Sequence, residues 1–197
     1  MTTVAWDGKT LATDSQGTTE AGFKSRMTKL FVSADKKRAF AGTGSRAEIH
    51  ELQDWLIRMN RDSDNRPTLT DDATHGIYVD EYGAYYVEGK RPVLIPVEDT
   101  VTGVGSGRNM AIAALRCGRT AEQAVLLAEE FDAWSSGPVQ TWEAPESEVF
   151  GPIKVETKPA PDPDTGEHDP WCAEFDPTAG PIEYRDLQAI EDAGWVR

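Results

Sequence analysis

The order of its elements constrains this chain most. Short β-branched and aromatic runs with turn residues between them alternate with three helix-period stretches, in the order strands, helix, strands, two helices, strands. Helices kept apart from consecutive hairpins predict antiparallel sheets in an α+β class, not a doubly wound parallel sheet. The 197 residues are enough for one sizeable core, and hydrophobic residues make up 39 % of them, with six Trp.

The first strands are expected in "TTVAWDGKTLATD". Asp-Gly between apolar runs is a two-residue hairpin signal. Folding at Asp7-Gly8 pairs Trp6 with Lys9, Val4 with Leu11 and Thr2 with Thr13, leaving Asp14 one residue further on. Strict pleating points Asp14 to the other face from Thr13, so a bend at the strand end is required to bring its carboxylate to Thr2.

A second hairpin is expected over 27–33 and 38–42. A helix follows, opened by a capping box in "SRAE" (Ser45, Glu48), with Ile49, Leu52, Leu56 and Met59 on its apolar face. "RDSDNRPTLTDD" reads as a polar loop, and strands return in "HGIYVDEYGAYYVEGKRPVLIPV". Two helices then run from about Arg108 to Cys117, stopped by Gly118, and onward from a Thr120–Gln123 capping box with Ala124, Val125, Ala128 and Phe131 buried. "PVQTWEA" and "PIKVETK" are the last expected strands. A Pro/Asp-rich linker and an aromatic-bearing extension, 159–197, follow a body spanning 1–158.

The formal net charge is −14, which disfavours binding to nucleic acid and to anionic membranes. No apolar run approaches the roughly 20 residues of a membrane span, and no signal peptide is legible, so the reading is cytoplasmic. Cys117 and Cys172 have no metal or disulfide spacing, and Cys117 reads as a small buried hydrophobe. His50, His75 and His168 are scattered, with His50 expected on the surface. "GTGSR" and "GVGSGR" match neither nucleotide fingerprint, and "DPDTGEHD" lacks a calcium-loop core.

One set of residues has a shared chemistry. If Met1 is removed, Thr2 offers a hydroxyl nucleophile and an amine base within one residue. A nearby Lys⁺ keeps such an amine neutral, a carboxylate orients the Lys, and backbone N–H groups at a Gly-rich turn receive an oxyanion. Lys29, Asp14 and the "AGTGS" turn are the candidates.

These stretches resemble the proteasome β-subunit and HslV-like family of N-terminal nucleophile hydrolases. "TTVAWDGKTLATDSQGT" is similar to the family's N-terminal hairpin, with Thr2 at the nucleophile and Asp14 at the family's Asp. "TKLF" places Lys29 at the catalytic Lys. "AFAGTGSRAEI" places Gly42 at the oxyanion N–H, with Thr43 where a second Gly is usual. "GVGSGRNMAIAAL" places Ser106 near the terminal amine, and "FDAWSSGPVQTW" supplies Asp132 and Ser135, with Ser136 in place of a Gly.

The resemblance implies a four-layer αββα sandwich of two packed antiparallel sheets. It implies a threonine peptidase needing no metal or organic cofactor, acting on peptide or unfolded protein. It also implies a homo-oligomer, a ring in the family, and leaves an ATP-dependent unfoldase partner open. One departure is that 61–74, polar and carrying Pro67, predicts no second helix where the family has one that helps form inter-ring contacts. Two other functions fit the same residues: a silent assembly or interaction protein that retains Met1, and an amidase on a small amide.

Overall fold

The N-terminal segment forms two paired strands, β1 (Thr3–Trp6) and β2 (Thr10–Thr13), in a computed structural model that describes residues 2–19, 22–59, 61–70 and 73–145. The chain divides into units Met1–Val155 and Glu156–Arg197. The expected strand at "PIKVETK" and the expected extension 159–197 lie outside the described residues.

The hairpin register differs from the two-residue expectation. Trp6 pairs with Leu11, Ala5 with Ala12 and Val4 with Thr13, so the turn spans residues 7–10. The Asp7 side chain causes the longer loop. Its Oδ1 accepts the N–H groups of Lys9 (3.0 Å) and Thr10 (2.6 Å), and its Oδ2 accepts the Ala121 N–H (2.8 Å). Asp7 thus caps its own loop and ties it to the start of a helix, which a tight turn would not permit.

After β2 come the ribbon strands β3 (Gln16–Thr18) and β4 (Lys24–Arg26), then β5 (Leu30–Val32) and β6 (Ala39–Thr43). Helix α1 (Arg46–Gln53) continues as a π-helical segment, Asp54–Arg58, and Ser63–Asn65 make a 3₁₀ turn. Strands β7 (His75–Asp80), β8 (Gly83–Glu88), β9 (Val93–Pro96) and β10 (Thr102–Gly105) precede α2 (Arg108–Arg116), α3 (Ala121–Phe131) and β11 (Gln140–Glu143).

Among the described residues the strands make one sheet in the order β10-β1-β2-β11, a second in the order β5-β6-β7-β8-β9, and the β3-β4 ribbon. Every pairing is antiparallel.

Period-2 alternation divides the apolar residues between three cores. Val4, Trp6 and Leu11 of the first sheet share one with Ala39, Ala41, Ile77 and Val79 of the second. The intervening Phe40 and Tyr78 turn the other way, to Ile49 and Leu52 of α1 and to Trp55 and Leu56. On the first sheet, Ala5 and Ala12 meet Ala111 and Ala114 of α2 and Ala124, Val125 and Ala128 of α3. Small side chains on both partners let the helices lie close to the strands.

Four local expectations change. Ser45 makes no side-chain cap; the buried Glu48 instead accepts the Thr70 N–H (2.6 Å), the Thr70 hydroxyl (2.7 Å) and the Thr74 hydroxyl (2.6 Å). The acidic residue holds the loop before β7, not its own helix end. Met59 is 46 % exposed because the wider π turn rotates it off the 3.6-residue stripe. Cys117 is exposed at the C-cap of α2, beyond the buried Ala111, Ala114 and Leu115. Phe131, the last residue of α3, is also exposed.

The α3 capping box is present: Thr120 Oγ1 accepts the Gln123 N–H (3.3 Å) and Gln123 Oε1 accepts the Thr120 N–H (3.2 Å). Thr120→Ala is expected to cost about 1 kcal/mol. Thermal unfolding will read that as a drop in Tm of roughly 2–4 °C.

Candidate active site

Thr2 precedes β1 and is buried. The Ser106 N–H donates to its carbonyl at 2.9 Å. The loop that makes this contact needs its glycines. Gly105 has φ +96, and a Cβ there would stand 1.8 Å from the Thr2 carbonyl oxygen; a Cβ on Gly107 would stand 2.1 Å from Thr3 Oγ1. The "GVGSGR" stretch is therefore the seat of Thr2 and Thr3, which is why it matches no phosphate-loop pattern.

Chain geometry brings Asp14 inward. β2 ends at Thr13, and the Asp14 N–H donates to the Thr3 carbonyl (3.2 Å) as the chain leaves for β3. Asp14 Oδ1 accepts the Thr3 N–H (2.9 Å), and Oδ2 accepts the Gln16 N–H (2.8 Å). The longer β1–β2 loop is what sets Asp14 against Thr3.

Lys29 meets the same carboxylate. Its Nζ lies 3.1 Å from Asp14 Oδ1 and 2.9 Å from Oδ2, and donates to Thr2 Oγ1 at 2.6 Å. The two charged side chains are 2 % and 0 % exposed. Burial pushes the Lys29 ammonium below its ordinary range, against the Asp14 charge and hydrogen bonds, with weaker support from Asp132 and Glu129. Asp14 is held by backbone donors as well as the ammonium, which is the condition under which a buried ion pair persists.

A fourth cluster member is absent from the sequence reasoning. Gln140, at the start of β11, accepts the Lys29 N–H (3.1 Å) and the Leu30 N–H (3.3 Å) through Oε1. Its Nε2 donates to the Met27 carbonyl (2.9 Å) and the Asp14 carbonyl (3.5 Å). One amide thus fixes the backbones that carry both charges. An isolated Gln in a strand has no local signature for this role.

Asp132, Ser135 and Ser106 form the second cluster. Asp132 Oδ2 accepts from Ser106 Oγ (2.5 Å) and Ser135 Oγ (2.7 Å), and Oδ1 accepts the Trp134 N–H (3.1 Å). Burial raises the carboxyl's pKa, but the two hydroxyls and the Trp134 N–H outweigh it and hold Asp132 below its ordinary value. The Ser135 proton is committed to Asp132, so Thr3 Oγ1 is the donor in its 2.7 Å contact with Ser135. Thr3 also escaped the sequence reasoning, hidden as the second Thr of a pair.

Gly42 follows Ala41, the partner of Leu30, on β6, and itself pairs with Gly76 on β7. Thr43 is buried and pairs with His75, and the Ser136 hydroxyl donates to Gln16 Oε1. Among the described residues no group of three or more His, Cys, Asp or Glu is placed to hold a metal ion. No helix there is long and apolar enough to cross a membrane.

No family model and no curated protein matches this sequence. Solved structures do. Thiobacillus denitrificans BPH superposes with a TM-score of 0.57 at 20 % identity, over 74 % of this chain and 99 % of that one. Its complex with epoxomicin gives 0.54 at 18 %, over 73 % and 97 %. Eukaryotic HslV from Trypanosoma brucei gives 0.52 at 20 %, over 74 % and 99 %. The chain has a proteasome β-subunit/HslV-like fold.

Identity this low carries the fold and not the roles of side chains, so the site of this HslV-like chain stands on its own geometry. Thr2, Asp14 and Lys29 form one hydrogen-bonded group. Ser106, Asp132 and Ser135 form another, joined to the first through the Thr2–Thr3 backbone. Asp14→Ala would leave the buried Lys29 ammonium without its counter-charge, a loss expected to cost about 3–5 kcal/mol. Urea denaturation will show the midpoint fall accordingly.

Proposed function

We propose that this chain is a threonine-type peptidase of the proteasome β-subunit and HslV type, hydrolysing peptide bonds through Thr2 once Met1 has been removed. The observation that carries the reading is Lys29 Nζ, buried, on Asp14 and within 2.6 Å of Thr2 Oγ1. A surface threonine needs no such partner, whereas a nucleophile gains from a fixed positive charge beside its oxygen.

The free Thr2 amine takes the Oγ1 proton, directly or through a water, as Oγ1 attacks the substrate carbonyl carbon. The carbonyl π pair moves to oxygen, and the Gly42 N–H stabilises the oxyanion. Collapse of the tetrahedral intermediate breaks the C–N bond, and the leaving amine takes the proton from the Thr2 ammonium. Water then hydrolyses the Thr2 ester by the reverse proton path, so no cofactor is required. Lys29⁺ keeps the amine neutral by like-charge repulsion. Asp14 holds Lys29, while Ser106, Asp132 and Ser135 order the amine and its water.

The three cores support stacking of the elements as helix, sheet, sheet, helix. The reading further implies a cytoplasmic homo-oligomer acting on peptide or unfolded protein, with 1–158 as the catalytic body.

Thr2→Ala is expected to lower peptide turnover by roughly 10³-fold or more. In the wild-type protein, intact-mass measurement should show the loss of Met1. Epoxomicin, bound by the T. denitrificans structure, should add to wild type and not to the variant. Unchanged turnover in Thr2→Ala would overturn the mechanism.

A further inference from the structure

One cleft borders the Thr2 site and has no part in the chemistry above. It measures about 200 Å³ and lies between the β3–β4 ribbon and the chain that follows Ser135, with Ser15, Gln16, Lys24, Arg26, Ser136 and Gly137 in its wall. That volume is below the roughly 300–1,000 Å³ of clefts that take whole small ligands, and it suits a single side chain.

The wall is tied to the site by hydrogen bonds. Ser15 follows Asp14, and its N–H donates to the carbonyl of Ser136, the residue after Ser135 (3.3 Å). The Gln16 N–H donates to Asp14 Oδ2 (2.8 Å), and Gln16 Oε1 accepts the Ser136 hydroxyl. The backbone that positions Asp14 and Ser135 therefore also builds the cleft.

Its charge is opposite to that of the chain. Lys24 and Arg26 stand two apart on β4, on one face of the ribbon, and both are exposed. Lys24 Nζ reaches only the Ala133 carbonyl (3.4 Å), and neither residue makes an ion pair among the described residues. No carboxylate lines the cleft, although the sequence holds 34 acidic residues against 20 basic ones. The nearby Asp14 charge is already met by Lys29.

The cleft also holds an unspent donor. Ser15 is 2 % exposed, and its Oγ is buried without a hydrogen-bond partner among the described residues. A Cβ on Gly137 would stand 2.6 Å from that oxygen, so the glycine keeps a side chain away from it. A buried hydroxyl with no partner is a cost to the free chain, and an acceptor on a ligand removes it.

We propose that this cleft is a carboxylate subsite, taking the side chain of an acidic residue of the peptide cut at Thr2. The inference rests on the peptidase reading. Arg26 and Lys24 supply the positive charge, and Ser15 Oγ supplies a hydroxyl donor. A carboxylate has two acceptor oxygens to share among them, and charge-assisted bonds of this kind are the strong ones.

The test uses acetylated, amidated peptides with a single Glu or Gln at successive positions across the cleaved bond, so that one side chain is the only carboxylate. Binding to full-length Thr2→Ala is read by fluorescence anisotropy, and cleavage by wild type as kcat/KM. At one position Glu should bind about 5- to 20-fold more tightly than Gln, against the net charge of the chain, and the preference should shrink in high salt. Arg26→Gln should remove most of it while leaving kcat/KM on the Gln peptide unchanged. Ser15→Ala should weaken Glu binding about 2- to 5-fold with Tm unchanged or raised, because it deletes an unpartnered polar atom. A lowered Tm in Ser15→Ala overturns the role of its hydroxyl. Equal affinity for Glu and Gln peptides at every position, or a preference that survives in the Lys24→Gln/Arg26→Gln double variant, overturns the subsite. A Glu preference in binding with no turnover of any peptide by wild type supports the carboxylate site and overturns the Thr2 reading.

Discussion

The ion pair between Lys29 and Asp14 is buried with side chains 2 % and 0 % exposed, and much of the first sheet is arranged to make that tolerable. Removing two charges from water costs several kcal/mol each unless their hydrogen-bonding capacity is filled. Asp14 receives the Thr3 and Gln16 N–H groups in addition to the ammonium. The Thr3 donor depends on the β1–β2 register, and that register depends on the four-residue loop capped by Asp7. Gln140 supports the backbone under both charges. Loop, register and strand partner thus serve one pair.

The second dependence is on close approach. Ser106 reaches the Thr2 carbonyl because Gly105 and Gly107 have no side chain to keep the strand and the α2 loop apart. The same loop delivers the Ser106 hydroxyl to Asp132, and Asp132 takes the Ser135 proton, so Thr3 must donate to Ser135. The direction of each hydrogen bond follows from the ionised carboxylate at the end of the chain, where charge-assisted bonds are strongest.

Features set by local chemistry were legible in the sequence. The β7–β9 strands announced themselves through Tyr, Val and Ile, and the Thr120–Gln123 box marked the start of α3. Thr2, Asp14 and Lys29 were legible as a set because their chemistry needs one another. What failed was whatever depends on a distant partner. The Asp-Gly pair suggested a tight turn, but Asp7 also answers to Ala121 on α3. Ser45 and Glu48 had capping-box spacing, yet Glu48 is taken by Thr70 and Thr74. A π segment shifts the buried stripe past Gln53, and no periodicity of 3.6 can foresee it. Gln140 acts only through tertiary placement.

Stability alone does not account for these choices. A buried ion pair can often be replaced by well-packed apolar groups at no loss, so its presence is weak evidence of a stabilising role. Here the pair stands beside the Thr2 hydroxyl, on the Thr3 and Gln16 backbone donors. Elsewhere the first sheet obeys local rules: alternating apolar faces, small alanines under the helices, antiparallel pairing. Departures from the cheapest solution gathered in one corner of a regular fold are what a reactive site requires, because a poised charge must be held where water would otherwise quench it. That concentration, more than any one contact, singles out Thr2 from the other buried threonines of the chain.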